Sequence, residues 1–310
     1  MKARLIVNPK SGTDSAPDSL ETINRLLRDR VGMMEIVMTV AEGDAENAAV
    51  QALQDGVDHL FVGGGDGTLN DVLNGVAGTP GGLDAVTFGL LPLGTGNDFA
   101  TALGIPLDVE EAIAQLFEAT AARIDVGRLN DRYFVNVSAG GFIADVSDAV
   151  NPQLKTIAGK LAYLLGGAQV LLSAEPVQAT ILQAGATESR TLHTFAICNS
   201  RLVGGGRLIA PHAVVDDGLL DCCLIDAMPT VDFVGLLRQV SNGEHLEDPR
   251  VTYAQIDRIE LSFDRRIKLN TDGQVLEAAR CRYHVLPGAA RVLMPRAATT
   301  PESSGVVEPR

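Results

Sequence analysis

The alternation of strand and helix patterns over the first 125 residues constrains the fold more than any other feature of the sequence. The short apolar runs RLIVNP, EIVMTV and HLFVGG are typical of strands, and a segment with helical spacing of apolar residues follows each of them. Such alternation predicts a parallel sheet with helices on both faces. The predicted helices span residues 18–30, 44–54, 69–78, 97–103 and 109–119.

The pattern changes after Ile124. Runs such as RYFVNVSAGGF, VQATILQAG, HTFAICNS and RIELSF are typical of strands joined by turns, and helical spacing is limited to residues 155–172 and 230–240. We therefore predict an α/β domain with a mostly parallel, doubly wound sheet over residues 1–125, and an antiparallel β domain over 126–295, whose last strand could pack back on the first domain. Residues 296–310 have little apolar surface to bury and are predicted to be a disordered tail.

Composition excludes several classes of function. The net charge of the 310 residues is -14, which disfavours binding to nucleic acid and argues against a polybasic membrane anchor. The apolar stretch near residues 161–172 is short and interrupted by glycines, so it is not expected to span a bilayer. No two of the four cysteines form a CxxC pair, so we expect neither a zinc site nor a disulfide framework, and a cytoplasmic location.

A glycine-rich segment, GGGDGT at residues 63–68, follows the third predicted strand. Glycines at such a turn let backbone N–H groups and a helix N-terminus approach a phosphate. The P-loop pattern is absent and the dinucleotide pattern GxGxxG is not met. Asp66 is the distinctive residue, because a carboxylate beside a triphosphate requires a bridging metal or a proton to accept. A tight structural turn is the alternative explanation.

Two further strands end in polar, glycine-containing turns. LLPLGTGNDFA at residues 90–100 carries Thr95, Asn97 and Asp98, and NPKSG at residues 8–12 begins with Asn8. Loops at the carboxyl ends of parallel strands meet in one crevice of a doubly wound sheet. These three loops are therefore predicted to form a nucleotide pocket.

Together these segments resemble the diacylglycerol and sphingosine-type lipid kinases, and the bacterial YegS branch in particular. The resemblance continues through IDVGRLNDRYFVNVSAGGF, GGGRLIAPHAVVDDGLLDCCLI and IKLNTDGQ, so it covers almost the whole chain except the tail. It implies an N-terminal domain like that of NAD kinases and diacylglycerol kinases, a C-terminal β-sandwich, and an active site in the cleft between them. The GGDGT core alone is shared with NAD kinases, whereas the ordered set of segments is much more specific.

The resemblance also implies roles for individual residues. Asp66 would lie closest to the phosphates and the catalytic Mg²⁺, and Asp98 and Asp125 would complete an acidic network around that metal. A structural Mg²⁺ would bind the Asp217 carboxylate and the backbone carbonyls of Val214 and Leu219, which are oxygen ligands suited to a hard cation. The implied ATP contacts are Asn8, Thr39, Gly65, Asp66, Gly67, Thr68, Leu69, Asn70, Asp71 and Thr95.

The sequence departs from the family at one implied catalytic position. The family's Asp-Gly-Glu reads Asp272-Gly273-Gln274 here, and the glutamate is the residue to which the family assigns the proton of the lipid hydroxyl. Glutamine has no basic site at neutral pH and cannot accept that proton. Either Asp66 or another carboxylate accepts it, or activity is low.

The implied function is an ATP- and Mg²⁺-dependent kinase acting on a lipid hydroxyl, with transient contact to a membrane surface. The acceptor could be diacylglycerol, phosphatidylglycerol or a long-chain base. Its tail could enter past KLAYLLGGAQVLL at residues 160–172, although the pattern of that segment favours a core-packing helix. The alternatives are an NAD kinase-like enzyme, or a nucleotide- or lipid-binding protein that Gln274 makes a weak catalyst. The sequence leaves the lipid and the oligomeric state open.

Overall fold

The computed structural model describes residues 2–11, 22–27, 34–144 and 175–295. Strands and helices alternate through the N-terminal part, as the sequence predicts. Its elements are β1 Ala3–Val7, β2 Met34–Met38, α1 Asp44–Gln54, β3 His59–Gly64, α2 Asp66–Ala77, α3 Gly82–Ala85, β4 Thr87–Pro92, α4 Asp98–Ala102 and α5 Val109–Leu116.

The N-terminal strands form a parallel sheet in the order β2-β1-β3-β4. Side chains of β1 alternate between its two faces: Ile6 packs in a core cluster with residues of α1 and α2, whereas Leu5 packs in a cluster with Ile23 and Ile113. Helical residues therefore cover both faces, which confirms the predicted α/β class. The carboxyl ends of β1, β3 and β4 consequently lie at one edge of the sheet.

Antiparallel strands dominate the C-terminal part, which confirms the second half of the predicted fold class. The core of this part contains side chains of β8, β9, β12 and β14, with Phe195, Leu224 and Leu261 among those fully or nearly fully buried. Its elements are β5 Thr120–Leu129, β6 Arg132–Phe134, β7 Val137–Gly141, β8 Val177–Gln183, β9 Ala186–Cys198, β10 Leu202–Val203, β11 Arg207–Leu208, β12 Leu220–Asp226, α6 Thr230–Val240, β13 Val251–Ile256, β14 Arg258–Thr271 and β15 Gln274–Met294.

Strand β15 connects the two parts of the molecule. It pairs antiparallel with β14 and β5, and near its end Arg291 and Val292 pair in parallel with Thr87 and Phe88 of β4. A 13-stranded sheet therefore continues through both parts. The strand begins directly after the Asp272–Gly273 turn, so the pairing of β14 with β15 also determines where that turn lies.

Helix bounds follow the predictions closely, with one informative difference. The predicted helices 44–54 and 230–240 match α1 and α6, whereas α2 begins at Asp66, three residues before the predicted start. The glycine loop thus contributes the first turn of α2. The predictions for residues 155–172 and 296–310 lie outside the described residues, and 18–30 is described only over 22–27. None of the helices in the described ranges has the length and apolar character needed to cross a membrane.

Candidate active site

Two glycine turns touch each other at the carboxyl ends of β3 and β4. A Cβ placed on Gly94 would lie 2.4 Å from the Cα of Gly65, and one on Gly64 would lie 2.5 Å from the Cβ of Thr68. Side chains at these positions would force the two loops apart. The glycines therefore let the first turn of α2 approach the turn that precedes α4, and the N-terminus of α2 lies at the same edge.

The Asp66 carboxylate joins the two loops. Its Oδ2 accepts a hydrogen bond from the Asp98 N–H at 3.0 Å, and its Oδ1 accepts one from the Phe99 N–H at 3.1 Å. Burial and the nearby negative charge of Asp98 raise the pKa of Asp66, while the backbone donors oppose that rise. The position among glycines is thus explained by a structural contact as well as by any role towards phosphate.

Asp98 extends this connection into the C-terminal part. Its Oδ1 accepts the Gly206 N–H at 2.8 Å, and its Oδ2 accepts the Gly205 N–H at 3.0 Å. Gly204, Gly205 and Gly206 all have positive φ, between 60° and 96°, a conformation that glycine adopts without strain. The glycine run of the GGGRL segment therefore presents backbone donors to a carboxylate from the other part of the chain.

Asp66 and Asp98 also flank a small space over Gly96. A Cβ placed on Gly96 would lie 3.4 Å from Asp66 Oδ2 and 4.0 Å from Asp98 Oδ2, so a side chain there would occupy the position between the two carboxylates. Carboxylate oxygens are the ligands that Mg²⁺ prefers, and each oxygen retains lone pairs beside its backbone bonds. These two residues therefore fit a hard divalent cation, although a cluster of three or more acidic, histidine or cysteine side chains suited to a metal is absent from the described residues.

Asp125 lies in a different environment. Its two oxygens accept the N–H groups of Gly218, at 2.6 Å, and Gly288, at 2.7 Å, and its own N–H donates to the Val215 carbonyl at 2.7 Å. Its side chain is 1% exposed. These hydrogen bonds attach Asp125 to the turn at residues 214–219, and they do not join it to Asp66.

That turn carries the residues expected at the structural magnesium. Asp217 Oδ1 accepts the Leu219 N–H at 3.0 Å, and its Oδ2 accepts Nε2 of Gln255 at 3.0 Å. Val214 is exposed. Nearby Asp221 is buried, with its Oδ1 bonded to the Tyr253 hydroxyl at 2.6 Å, and its Oδ2 has no hydrogen-bond partner among the described residues. Burial raises the pKa of Asp221, and the charge of Asp217 adds to the rise.

The remaining expected ATP contacts lie at the same edge with differing exposure. Asn8 Nδ2 lies 3.5 Å from Thr68 Oγ1, and Thr39 is buried with its N–H bonded to the Val7 carbonyl at 2.9 Å. Leu69 packs in the core beneath α2, whereas Thr95 is exposed. Asn8 and Thr68 are thus the expected residues whose side chains meet beside the glycine loop.

Sequence reasoning did not assign a role to the Asp272 carboxylate, which is the most extensively bonded acid near the site. It accepts N–H groups from Val135 at 2.8 Å, Asn136 at 3.1 Å and Val137 at 2.8 Å, together with Nδ2 of Asn70 at 3.3 Å. Burial raises its pKa to about 7, against the effect of the backbone donors. An available signal was the Asp-Gly pair itself, in which Asp272 adopts a φ of 48°.

Two asparagines of α2 also connect the parts of the molecule. Asn70 Nδ2 donates to the Tyr133 carbonyl at 2.8 Å, and Asn74 both donates to that carbonyl at 3.0 Å and accepts the Tyr133 N–H at 2.9 Å. Asn74 was not predicted as a functional residue. Its signal in the sequence is the spacing of four from Asn70, which places the two amides on one side of the helix.

Gln274 reaches across to the glycine loop. Its Nε2 donates to Asp71 Oδ1 at 2.9 Å and lies 3.7 Å from the position that a Cβ on Gly67 would occupy. Partial burial raises the pKa of Asp71 to about 6; Arg132 opposes the rise and the charges of Glu46 and Glu42 add to it. The structure thus pairs the substituted position with a carboxylate of α2.

The fold and this site combine an α/β part that carries two touching glycine turns with a second, strand-rich part, and the comparisons identify the class of enzyme. Family models match both parts: the diacylglycerol kinase catalytic domain matches residues 2–129, and the YegS C-terminal NAD kinase beta sandwich-like domain matches residues 136–294. The chain belongs to the diacylglycerol kinase family, and it is a kinase.

Curated relatives match over most of their length. The chain is 32% identical to the diacylglycerol kinase of Bacillus subtilis, over 88% of this chain and 89% of the relative. It is 35% identical to a YegS-like lipid kinase of Pseudomonas putida, over 87% of this chain and 88% of the relative. A crystal structure from Bacillus anthracis, 26% identical, superposes with a TM-score of 0.81 and covers 96% of this chain and 98% of that one.

Proposed function

We propose that the protein is an ATP- and Mg²⁺-dependent lipid kinase that transfers the γ-phosphate to a hydroxyl group of a lipid. The observation that carries the proposal is the space over Gly96, where Asp66 and Asp98 converge beside two touching glycine turns. Carboxylates beside a phosphate site are repulsive unless a cation lies between them and the phosphates. The kinases that match the chain along most of its length support the same conclusion.

In this proposal the chain itself supplies position and charge. The backbone N–H groups of the glycine loop and the N-terminus of α2 bind the phosphates, with Asn8 and Thr68 beside them. Asp66 and Asp98 hold the cation, and when bound it neutralises charge on the phosphate oxygens. Asp272 and Asn70 keep the C-terminal strands in place against α2, so that the acceptor is oriented towards the donor. Phosphoryl transfer depends mainly on such positioning.

The acceptor is proposed to be a membrane lipid with a free hydroxyl near its headgroup. Diacylglycerol is the first candidate because relatives carry that name, and phosphatidylglycerol and long-chain bases present comparable hydroxyls. The enzyme would contact a membrane surface transiently on its cytoplasmic side, where ATP is available. The tail-binding segment suggested at residues 160–172 lies outside the described residues.

We also propose a structural Mg²⁺ at the turn of residues 214–219. Asp217 would supply a carboxylate oxygen, and Val214 and Leu219 would supply carbonyl oxygens. Support comes from the partly exposed turn and from the unpartnered Oδ2 of Asp221 nearby, which is an acceptor that a cation or its bound water can satisfy. Asp125 would stabilise this turn through Gly218 and Val215 and thus contribute indirectly.

A labelled-phosphate assay tests the proposed function. Purified protein is incubated with Mg²⁺ and γ-labelled ATP, together with diacylglycerol, phosphatidylglycerol, a long-chain base or NAD in separate reactions. We expect label in one or more lipids and none in NAD. Label in NAD alone would establish the small-molecule kinase instead, and ATP binding without any transfer would indicate a binding protein.

A further inference from the structure

We propose that Asp71 is the carboxylate that accepts the proton of the acceptor hydroxyl, with Gln274 holding it in position. This inference rests on the proposed kinase function. In the step, the acceptor O–H bond breaks and its proton moves to Asp71, the acceptor oxygen forms a bond to the γ-phosphorus, and the bond from that phosphorus to the β-phosphate oxygen breaks to release ADP.

The hydrogen bonds of the other nearby carboxylates argue for Asp71 by elimination. Asp66 accepts two backbone N–H groups, Asp98 accepts those of Gly205 and Gly206, and Asp272 accepts three backbone N–H groups and one amide. Each oxygen in these three carboxylates already faces a donor. Asp66 and Asp98 are assigned to the cation, and Asp272 is 4% exposed, so a substrate hydroxyl has little access to it.

Asp71 differs in this respect. Within the described residues, its carboxylate accepts one side-chain hydrogen bond, which Gln274 Nε2 donates to Oδ1 at 2.9 Å. Oδ2 therefore has lone pairs available to a substrate hydroxyl. The side chain is half-buried, so it is partly accessible without being fully solvated.

The location suits proton transfer beside the phosphate loop. Gln274 Nε2 approaches within 3.7 Å of a Cβ placed on Gly67, and a Cβ on Gly273 would lie 3.4 Å from the Gly67 N–H nitrogen. The turn that carries Gln274 thus packs directly on the loop expected to bind phosphate. The same amide nitrogen donates to Asp71 Oδ1 at 2.9 Å, so Asp71 is connected to this loop through one side chain.

Charged groups of both signs lie on the elements around Asp71. Arg132 of β6 faces it and forms an ion pair with Glu46 of α1 at 3.2 Å, while Glu42 precedes α1. Partial burial is the largest influence and raises the pKa of Asp71 to about 6. The side chain is therefore mostly ionised at neutral pH, and its basicity lies near the operating pH, where general-base catalysis is most effective.

The test compares wild type with Asp71→Asn and with Asp131→Asn, which changes an exposed acid on the turn between β5 and β6. On the lipid that wild type phosphorylates, we expect Asp71→Asn to lower kcat by about 10–10²-fold, somewhat below the usual range for a general base because the transition state is loose. The KM for ATP should change little, and the decline of wild-type kcat below about pH 6 should disappear. Asp131→Asn should behave as wild type.

Gln274→Leu supplies a second readout, which a purely structural role of Asp71 would not produce. Removing a donor to the carboxylate disfavours its charged form, so the acidic limb of the pH profile should move to higher pH. Unchanged kcat and pH profile in Asp71→Asn would overturn the role of Asp71 while leaving the kinase function intact. Failure of wild type to phosphorylate any lipid would overturn both.

Discussion

The Asp66 carboxylate has two roles in this account: it accepts hydrogen bonds from the backbone at the start of α4, and it is proposed to hold a cation. The same oxygens that face the space over Gly96 accept N–H groups from Asp98 and Phe99 at the start of α4. The backbone donors orient the carboxylate and keep its lone pairs directed. An amide in its place would present an NH₂ group to one of those donors, so chemical function and local structure are affected together.

We therefore expect Asp66→Asn to reduce phosphate transfer by at least about 10³-fold, through loss of a cation ligand at the reacting phosphates. It should also destabilise the protein by about 1–3 kcal/mol, because one buried donor loses its acceptor. Transfer assays and urea denaturation measure the two effects, with exposed Asp84→Asn as the control. Near-normal turnover in Asp66→Asn would contradict the assigned role.

Helices and strands could be predicted where the pattern that indicates them lies within one short stretch of the sequence. Helical spacing located α1 and α6 within the chain, and the apolar run of β3 was predicted with its observed bounds. The contacts of the Asp272–Gly273 turn were not predictable in this way. Asp272 bonds to Val135, 137 residues earlier, and Gln274 bonds to Asp71, 203 residues earlier. The pairing of β14 with β7 brings Asp272 beside residues 135–137, and the pairing of β14 with β15 fixes the turn that carries Gln274.

Asp272→Asn tests the energetic contribution of that turn. Four donors face the carboxyl group, and an amide offers acceptors to only part of them, so we expect a loss of about 1–3 kcal/mol in the free energy of unfolding at pH 5. Because burial raises the folded-state pKa to about 7, the contribution from protonation is complete below about pH 4 and is lost as the pH rises through 7.

The stability difference between wild type and Asp272→Asn should consequently narrow between about pH 4 and pH 8. Urea denaturation across that range measures it, with Asp131→Asn as a matched exposed control. A difference that grows with rising pH would show instead that the backbone donors keep the carboxylate ionised throughout, contrary to the expected effect of burial.

At the scale of the whole molecule, one sheet continues from the N-terminal α/β part into the antiparallel C-terminal part. Strand β15 supplies the connection, since it pairs with β4, β5 and β14. Asp98 and Asp125 add polar contacts between distant segments, to Gly205 and Gly206 in one case and to Gly218 and Gly288 in the other. The sequence predicted two kinds of architecture and allowed the last strand to pack on the first domain, but the order of strands in the continuous sheet was not predicted, because sheet order depends on long-range pairing.

The proposed structural Mg²⁺ would stabilise the folded chain as a whole. Thermal unfolding of wild type should shift to higher temperature as Mg²⁺ is added and return when EDTA removes it, since a ligand stabilises the state that binds it. In the presence of Mg²⁺, Asp217→Ala should have a lower Tm than wild type. Its Tm should respond little to added Mg²⁺ or EDTA. Identical responses in the two proteins would show that this turn holds no cation.

The central claim, transfer of phosphate to a lipid hydroxyl at the site of Asp66 and Asp98, is tested most directly by mass spectrometry of a total lipid extract. The extract is incubated with Mg²⁺, ATP and either wild type or Asp66→Asn. We predict that hydroxyl-bearing lipids gain the mass of one phosphate group with wild type, that ADP accumulates in step, and that both changes are absent with the variant. ATP consumption without any phosphorylated lipid, or equal lipid phosphorylation by both proteins, would contradict the account.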